Sequence, residues 1–342
     1  MLTVVQSPVV DSLPRRSFLT GATAVGLGAL VGCGSRGDGS PQARAGNGFP
    51  RTVDHEAGRT EIPAQPRRVV SATDYDDLDA VLAAGITPVA FGFSPWLVPG
   101  LTPWASGAAG STRLDGPIAA INLEKIAAQR PDLIVAQADL LADAYPQLSA
   151  MAPTVVVAVR RGDWRPGTRS VGRATGQEAV AAVAIERAEA EVRRIGAELA
   201  AHRGARVAVI SRFSGQIRVD SIPDGPAGSG ALLQDLGMTP VDGGVDPASR
   251  VLADEELTRF GDVDALLVHE FDAQTDALIA SPVFARLPVV RARRAMRLSR
   301  AATRASYLLS SLSVLYAARE FGTALRAAFE GRGSLAPVTG AP

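Results

Sequence analysis

Beyond residue 50 the chain alternates short apolar runs with stretches of helical periodicity. In the first half, runs at 68–71, 88–91, 133–136 and 154–159 are β-branched, four to six residues long and bounded by Gly, Pro and Asp, which predicts strands. Between them, 77–84, 123–129 and 140–150 predict helices. Gly85 follows the first of these and Arg130-Pro131 the second, both common stop signals. The second half repeats the rhythm, with strands at 206–210, 265–268 and 295–298 and helices at 231–236 and 255–260. Strands alternating with helices imply a parallel sheet covered on both faces. The pattern therefore predicts two Rossmann-like α/β lobes.

The longest helical pattern lies between the halves. Thr175-Gly176-Gln177-Glu178 fits a capping box. Val180, Val183, Val192, Ile195 and Leu199 form an apolar stripe, Glu189 and Arg193 can pair at i,i+4, and Gly204 suits a C-cap. A helix over 178–201 would be about 36 Å long, a stiff strut between the lobes. Two lobes on such a connector leave a cleft, and in open α/β sheets ligands sit off the carboxyl ends of the strands. The expected organisation is a lobe over 51–174, a spanning helix over 175–203 and a second lobe over 204–335.

The first fifty residues read as an address. Arg15 and Arg16, followed by Ser-Phe-Leu, precede a small-residue apolar run of about a dozen residues, too short to span a bilayer, which takes roughly 20. The arginine pair resembles a twin-arginine export signal, with Pro14 where Ser or Thr is usual. Leu30-Val31-Gly32-Cys33 resembles a lipobox, in which Cys33 would be acylated and begin the mature protein. Acylation would also consume a lone reactive thiol. The plainer alternative is a chance arginine pair and a chance cysteine. Residues 1–32 are read as the signal and 33–50, rich in Gly, Ser, Pro and Gln, as a flexible tether.

Composition narrows the function. The 35 basic and 35 acidic side chains cancel, which argues against nucleic-acid binding by bulk charge. One Cys excludes a disulfide framework or a Cys-rich metal site. Lys125 is the only lysine, so Arg enrichment at any one place carries little weight as a binding signal. His55, His202 and His269 are scattered, against direct capture of a bare transition metal. No Gly-x-Ser-x-Gly and no clustered His/Asp/Ser set is apparent in the sequence, against an exported hydrolase. Asp224 to Gly230 is Gly-rich ahead of a helix but lacks the Lys-Ser/Thr of a phosphate loop.

Asn122-Leu123-Glu124-Lys125-Ile126 followed by Arg130-Pro131-Asp132-Leu133-Ile134 resembles a segment of the substrate-binding proteins that serve ABC importers of ferric siderophores, heme and vitamin B12. Ala152-Pro153-Thr154, the stretch from Gly228 to Gly237, Asp254-Glu255-Glu256-Leu257 and Pro282-Val283-Phe284 extend the resemblance, in order, over about residues 51 to 330. It implies a class III substrate-binding protein: two α/β lobes, one spanning helix and little hinge motion. It also implies a monomer held to the outer face of the plasma membrane by its lipid anchor, with no covalently bound cofactor and no enzymatic activity. The partners implied are an ABC permease and a small metal chelate. Glu124 and Glu255 match the glutamates that dock on permease arginines, although either could be an ordinary solvated acid in a first helical turn.

For the cleft, loops after strands offer Tyr75, Phe93, Trp96, Arg160, Arg161 and Trp164 in the first lobe. The second lobe offers Arg212, Phe213, Phe271, Arg304 and Tyr307, with Arg300 nearby. Rings pack against flat ligand surfaces and Arg pairs with anionic oxygens, which suits a ferric siderophore. The Arg-rich segment 291–304, read as a strand, also hints at an anionic ligand. Heme is the nearest alternative, with Tyr75, Tyr307 or His269 as axial ligand. Vitamin B12, or a sensor or scaffold on the same fold without permease docking, also stays open.

Overall fold

The computed structural model describes residues 48–73, 76–94, 100–116, 121–157, 162–225 and 227–338. Arg15, Arg16, Cys33, Tyr75, Trp96, Arg160 and Arg161 lie outside the described residues.

A hairpin of β1 (Arg51–His55) and β2 (Gly58–Ile62) opens the chain. The first lobe is a five-stranded sheet of β3 (Val69–Ser71), β4 (Ala90–Phe93), β5 (Thr112–Asp115), β6 (Leu133–Gln137) and β7 (Thr154–Val157). Its order is β5-β4-β3-β6-β7 and all its pairings are parallel. Helices α1 (Asp76–Ala83), α2 (Leu123–Ala128), α3 (Ala138–Leu141), α4 (Tyr145–Met151) and α5 (Arg165–Thr175) accompany it. Every residue of β3, β4, β6 and β7 is buried, as a sheet covered on both faces requires. Separate apolar clusters pack on its two sides, one around Val69, Leu133 and Val155, the other around Val70, Ile134 and Leu148.

After the spanning helix α6 (Glu178–Glu198), the second lobe contains β8 (Arg206–Phe213), β9 (Gln216–Val219), α7 (Ser229–Asp235), β10 (Thr239–Pro240), β11 (Val251–Leu252) and β12 (Ala265–Val268). It continues through α8 (Gln274–Ile279), α9 (Pro282–Arg286), α10 (Pro288–Arg291), β13 (Ala295–Arg297), α11 (Arg300–Tyr307) and α12 (Ser313–Phe329). This sheet is mixed rather than all parallel. β12 pairs in parallel with β8 and β13, while β9 is antiparallel to β8 and β11. One edge of β8 is shared: its start pairs with β10 and its end with β9. The tight Ser214-Gly215 turn, with φ of 52° and 78°, makes the hairpin that the parallel expectation overlooked.

Several expectations need correction. Strand β4 begins at Ala90, two residues late, and Pro88 contributes only its carbonyl, which accepts from Ser111 Oγ at 2.6 Å. The helix expected over 140–150 is divided into α3, a 3₁₀ turn at Ala142–Ala144 and α4. The segment 254–260 is a 3₁₀ helix, and 291–304 is a helix end, a short strand and a helix start.

The capping box is absent. Thr175 Oγ1 donates to Val171 O at 2.8 Å within α5, and Gly176 (φ 72°) ends that helix in the left-handed conformation. Helix α6 has 21 residues, about 31 Å. Its buried face is Ala181, Ile185, Ala188, Val192, Ile195 and Leu199, spaced 4-3-4-3-4, whereas Val180 and Val183 are exposed at 42% and 63%. The small residues matter because α5 comes close: a Cβ on Gly172 would lie 2.6 Å from Ala181 Cβ. Helix α6 packs on α5 and α1 of the first lobe and on α7 and α12 of the second.

Candidate functional site

In both sheets the chain reverses direction of travel at a central strand pair. In the first lobe the pair is β3/β6 and in the second β8/β12. The crevice for a ligand lies off the carboxyl ends of such pairs. The crevice over β3/β6 is organised by polar side chains. Gln137 N donates to Thr73 Oγ1 (3.0 Å), and Asp77 accepts from Ser71 Oγ (2.7 Å) and Thr73 N (2.9 Å). Three acids, Asp76, Asp77 and Asp79, crowd the first turn of α1, favoured there by the helix dipole.

Asp79 ties the lobes together. Its Oδ2 accepts from Trp104 Nε1 at 2.9 Å and from Ser310 Oγ, in the α11–α12 loop of the second lobe, at 2.5 Å. Burial pushes its carboxyl up to about 6, against the opposing pull of Ser310, Arg304 and Trp104. Burial, with Asp79 and Asp77 adding like charge, pushes Asp76 up to about 8. Close by, Thr168 and Ser311 share a 2.6 Å hydrogen bond across the junction, and the Trp104 and Tyr316 rings meet at 5.3 Å. Trp164 is only 5% exposed and belongs to the apolar cluster of α6 and the second lobe, with Arg165 over its ring. It is a core ring of the junction, not an open cleft surface. Its Nε1 has no hydrogen-bond partner among the described residues, and the residue lines a small cavity with Asp76, Asp163 and Thr168.

The second lobe's wall is aromatic and basic. Phe213 at the end of β8, Phe271 after β12 and Tyr307 at the end of α11 form one cluster, with ring centroids 5.4 Å (Phe213–Phe271) and 5.3 Å (Phe271–Tyr307) apart. Phe213 and Tyr307 are half-buried and Phe271 buried. Arg212 is half-buried and bonded to Asp254 at 2.7 Å, and Arg300 sits 3.8 Å from Glu270. Arg304 is half-buried and lines a pocket with Asp79, Phe91, Phe93 and Ser94 of the first lobe. Phe93 itself is buried at the pocket wall, edge-on to Phe91, and carries the Arg113 guanidinium 4.4 Å over its ring. The sequence-expected cleft residues thus divide. Phe93 and Arg304 line one pocket, Phe213, Phe271 and Tyr307 form a separate cluster, Trp164 lies deeper, and Arg212 is turned onto an acid.

Beneath the aromatic cluster lies a network that the sequence reading missed. His269 is fully buried, with Nδ1 2.8 Å from Asp220 Oδ2 and Nε2 3.0 Å from Ser306 Oγ and 3.2 Å from Ser229 Oγ. Arg250 Nη1 donates to Asp220 Oδ1 at 3.0 Å and Nη2 to Tyr307 Oη at 3.3 Å. Asp, His and Ser are therefore clustered after all, brought together from β9, β12, α7 and α11. Both histidine nitrogens are engaged in a sealed interior and Ser306 Oγ also donates to Ala302 O, so the group braces the wall and offers no accessible nucleophile or axial ligand. The Gly-rich run ahead of α7 serves packing: a Cβ on Gly230 would lie 2.5 Å from Ile222 C. Among the described residues no group of three His, Cys, Asp or Glu could hold a metal ion, and no helix is long and apolar enough to cross a membrane.

Glu124 is exposed in the first turn of α2, whose N-cap Asn122 Oδ1 accepts from Lys125 N at 2.9 Å. Glu255 is exposed in the first turn of the 3₁₀ helix Asp254–Phe260. Neither forms an ion pair among the described residues.

The sequence profile described as "Periplasmic binding protein" matches residues 70–301. The probable siderophore-binding lipoprotein YfiY of Bacillus subtilis (strain 168) is 28% identical over 216 residues, which cover 61% of this chain and 62% of that protein. The match thus spans about three fifths of that relative's length. A periplasmic solute binding protein from Mycobacterium smegmatis superposes with a TM-score of 0.69 at 27% identity, covering 81% of this chain and 98% of that one. SirA of Staphylococcus aureus, solved with staphyloferrin B, gives 0.67 at 22% identity, covering 81% and 98%.

Proposed function

We propose that this chain, which belongs to the periplasmic binding protein family, captures a ferric siderophore between its lobes and hands it to an ABC importer. The observation that carries the reading is that helix α11 presents Arg304 to the Phe93 pocket of the first lobe and, one turn on, Tyr307 to the Phe213–Phe271–Tyr307 cluster. A metal chelate offers flat apolar surface to rings and anionic oxygens to Arg. The likeness to a siderophore-binding lipoprotein supports the same ligand class. Tyr75, Trp96, Arg160 and Arg161, expected from the sequence to join the cleft residues, lie outside the described residues. No covalent chemistry is involved, and function is a binding free energy plus recognition by the permease.

Cys33, behind a twin-arginine signal at Arg15 and Arg16, would anchor the protein outside the plasma membrane. Exposed and without ion pairs among the described residues, Glu124 and Glu255 suit docking on permease arginines, one from each lobe. The stapled junction supports a small motion on binding.

The test is a titration of the chain from Ala45 onward with ferric siderophores and with heme, read by tryptophan fluorescence. Saturable submicromolar quenching by one ferric siderophore class, with little response to its iron-free form, is the expected result. A Soret band with saturation by heme moves the ligand to heme. Absence of saturation with any ferric chelate removes the reading. Joint reversal of Glu124 and Glu255 to Arg is expected to abolish uptake while binding persists.

A further inference from the structure

Trp164 packs in the apolar cluster that α6 shares with the second lobe. The Arg165 guanidinium lies 4.3 Å over its ring and is itself fixed to Glu189 at 2.6 Å, which holds the ring in place. An indole N–H only donates, and when buried it usually has a partner. Trp164 Nε1 is buried with no partner among the described residues, and a buried donor left alone asks for an acceptor. The apolar cluster offers none. The polar surface that this residue touches is the cavity it lines with Asp76, Asp163, Thr168 and Ser310, about 20 Å³ in volume. A water needs roughly 10–15 Å³ and about two to four polar partners, so the cavity admits one and nothing much larger. Most of its polar walls are committed. Ser310 Oγ donates to Asp79 and accepts from Ser313 N at 2.9 Å, Thr168 Oγ1 shares a hydrogen bond with Ser311, and Asp163 Oδ1 accepts from Arg165 N at 3.3 Å. Asp76 differs. Its N donates to Gln137 Oε1 at 3.3 Å, but its carboxyl makes no hydrogen bond among the described residues. One carboxyl oxygen remains an acceptor whether the group is ionised or protonated.

We propose that this cavity is the binding site of one ordered water, which accepts from Trp164 Nε1 and donates to the Asp76 carboxyl. Water is the occupant that meets every condition: it accepts from the indole, donates to the carboxyl and fits the volume. A cation fails the first of these, because it cannot accept. The walls come from both lobes, with Asp76 on α1 and Thr168 on α5 from the first and Leu309 and Ser310 between α11 and α12 from the second. The water is thus a joint of the junction, beside the Asp79–Ser310 and Thr168–Ser311 hydrogen bonds. It belongs to the folded protein with or without a chelate in the cleft.

A crystal structure of the ligand-free protein, at a resolution that shows ordered water, tests this directly. A single water peak is expected about 2.7–3.2 Å from Trp164 Nε1 and within the same reach of an Asp76 carboxyl oxygen. An empty cavity, or an indole that donates to a protein oxygen, overturns the proposal. Trp164→Phe keeps most of the ring and removes the donor, so the peak is expected to vanish; a peak unchanged in that variant means that Trp164 does not hold the water, and overturns the proposal as well. Asp76→Asn keeps an accepting oxygen and should retain the water, whereas Asp76→Leu should lose it. Retention in Asp76→Leu removes Asp76 as the acceptor and the bridge with it. In solution, the indole N–H of Trp164 in nitrogen-15-labelled protein, identified by its loss in Trp164→Phe, is expected to receive magnetisation from water. No transfer to that proton overturns the site as a property of the dissolved protein. Both wild-type readouts stand by themselves should a variant fail to fold.

Discussion

In the second lobe the buried Asp220 sits between Arg250 at 3.0 Å and His269 at 2.8 Å, all three on one lobe and closed from solvent. In the first lobe Asp76, Asp77 and Asp79 crowd one helical turn, and the cation acting on two of them reaches over from the other lobe. The two arrangements bury similar chemistry to different ends. Charge balanced within a lobe is a fixture: it holds Tyr307 and the adjacent rings at one position on the cleft wall. Charge balanced across a junction depends on how the lobes meet and on what lies between them. The first kind is fixed by partners within one lobe; the second depends on groups that both lobes supply.

The sharpest break of this contrast is Asp220→Ala. It leaves Arg250 and His269 buried without their shared acceptor, and removal of one partner from a buried pair typically costs about 3–5 kcal/mol. Urea unfolding is expected to show a loss of that size, together with weaker chelate binding as Tyr307 loses its brace. A loss below about 1 kcal/mol would mean that the network is not the fixture described.

The opposite wall should respond to pH rather than to a partner's removal. Asp79 titrates near 6 in the fold and near 3.8 when unfolded, so the native state holds its proton longer. Its contribution to stability is fully present below about pH 3.8 and is lost as pH rises through about 6. At roughly 1.4 kcal/mol per pKa unit the full effect is at most about 3 kcal/mol. Unfolding free energy is thus expected to rise between about pH 7 and pH 5, after allowance for other groups, and Asp79→Asn should remove most of that slope. Asp76, raised to about 8, should add a further step at higher pH, coupled to the first. A slope unchanged in Asp79→Asn would place the titrating group elsewhere.

How much of this was legible beforehand depends on the range over which each feature is encoded. Strand β12 was read residue for residue, because Ala265–Val268 is an uninterrupted apolar run between turn signals. The aromatic cluster was listed piece by piece from loops after strands, and these pieces do converge. The Asp220–Arg250–His269 group was invisible, since its members are 30 and 19 residues apart and nothing local marks them as neighbours. Only the fold marks Arg250, which carries a positive φ (56°) after Pro-Ala-Ser, an uncommon place for a buried arginine. Arg297 makes the same point from the other side. With Lys125 the only lysine, no single Arg stands out in the sequence, yet this one is 5% exposed between Glu270 and Asp276.

The smallest expected effect tests the strut between the two walls. Hydrophobicity alone put Val180 and Val183 on the buried face of α6, because two valines outweigh alanines in any apolar count. Geometry favours the alanines: α5 approaches so closely at Gly172 that Ala181 fills the space, and the valines turn outward. Val183→Ser is therefore expected to change stability by no more than about 0.5 kcal/mol, the usual range for exposed sites. Ile185→Ala, two residues along on the buried face, should cost about 2–5 kcal/mol. Were both substitutions equally costly, the buried face would be wider than the 4-3 spacing allows, and the strut would hold the first lobe by a different side from the one described.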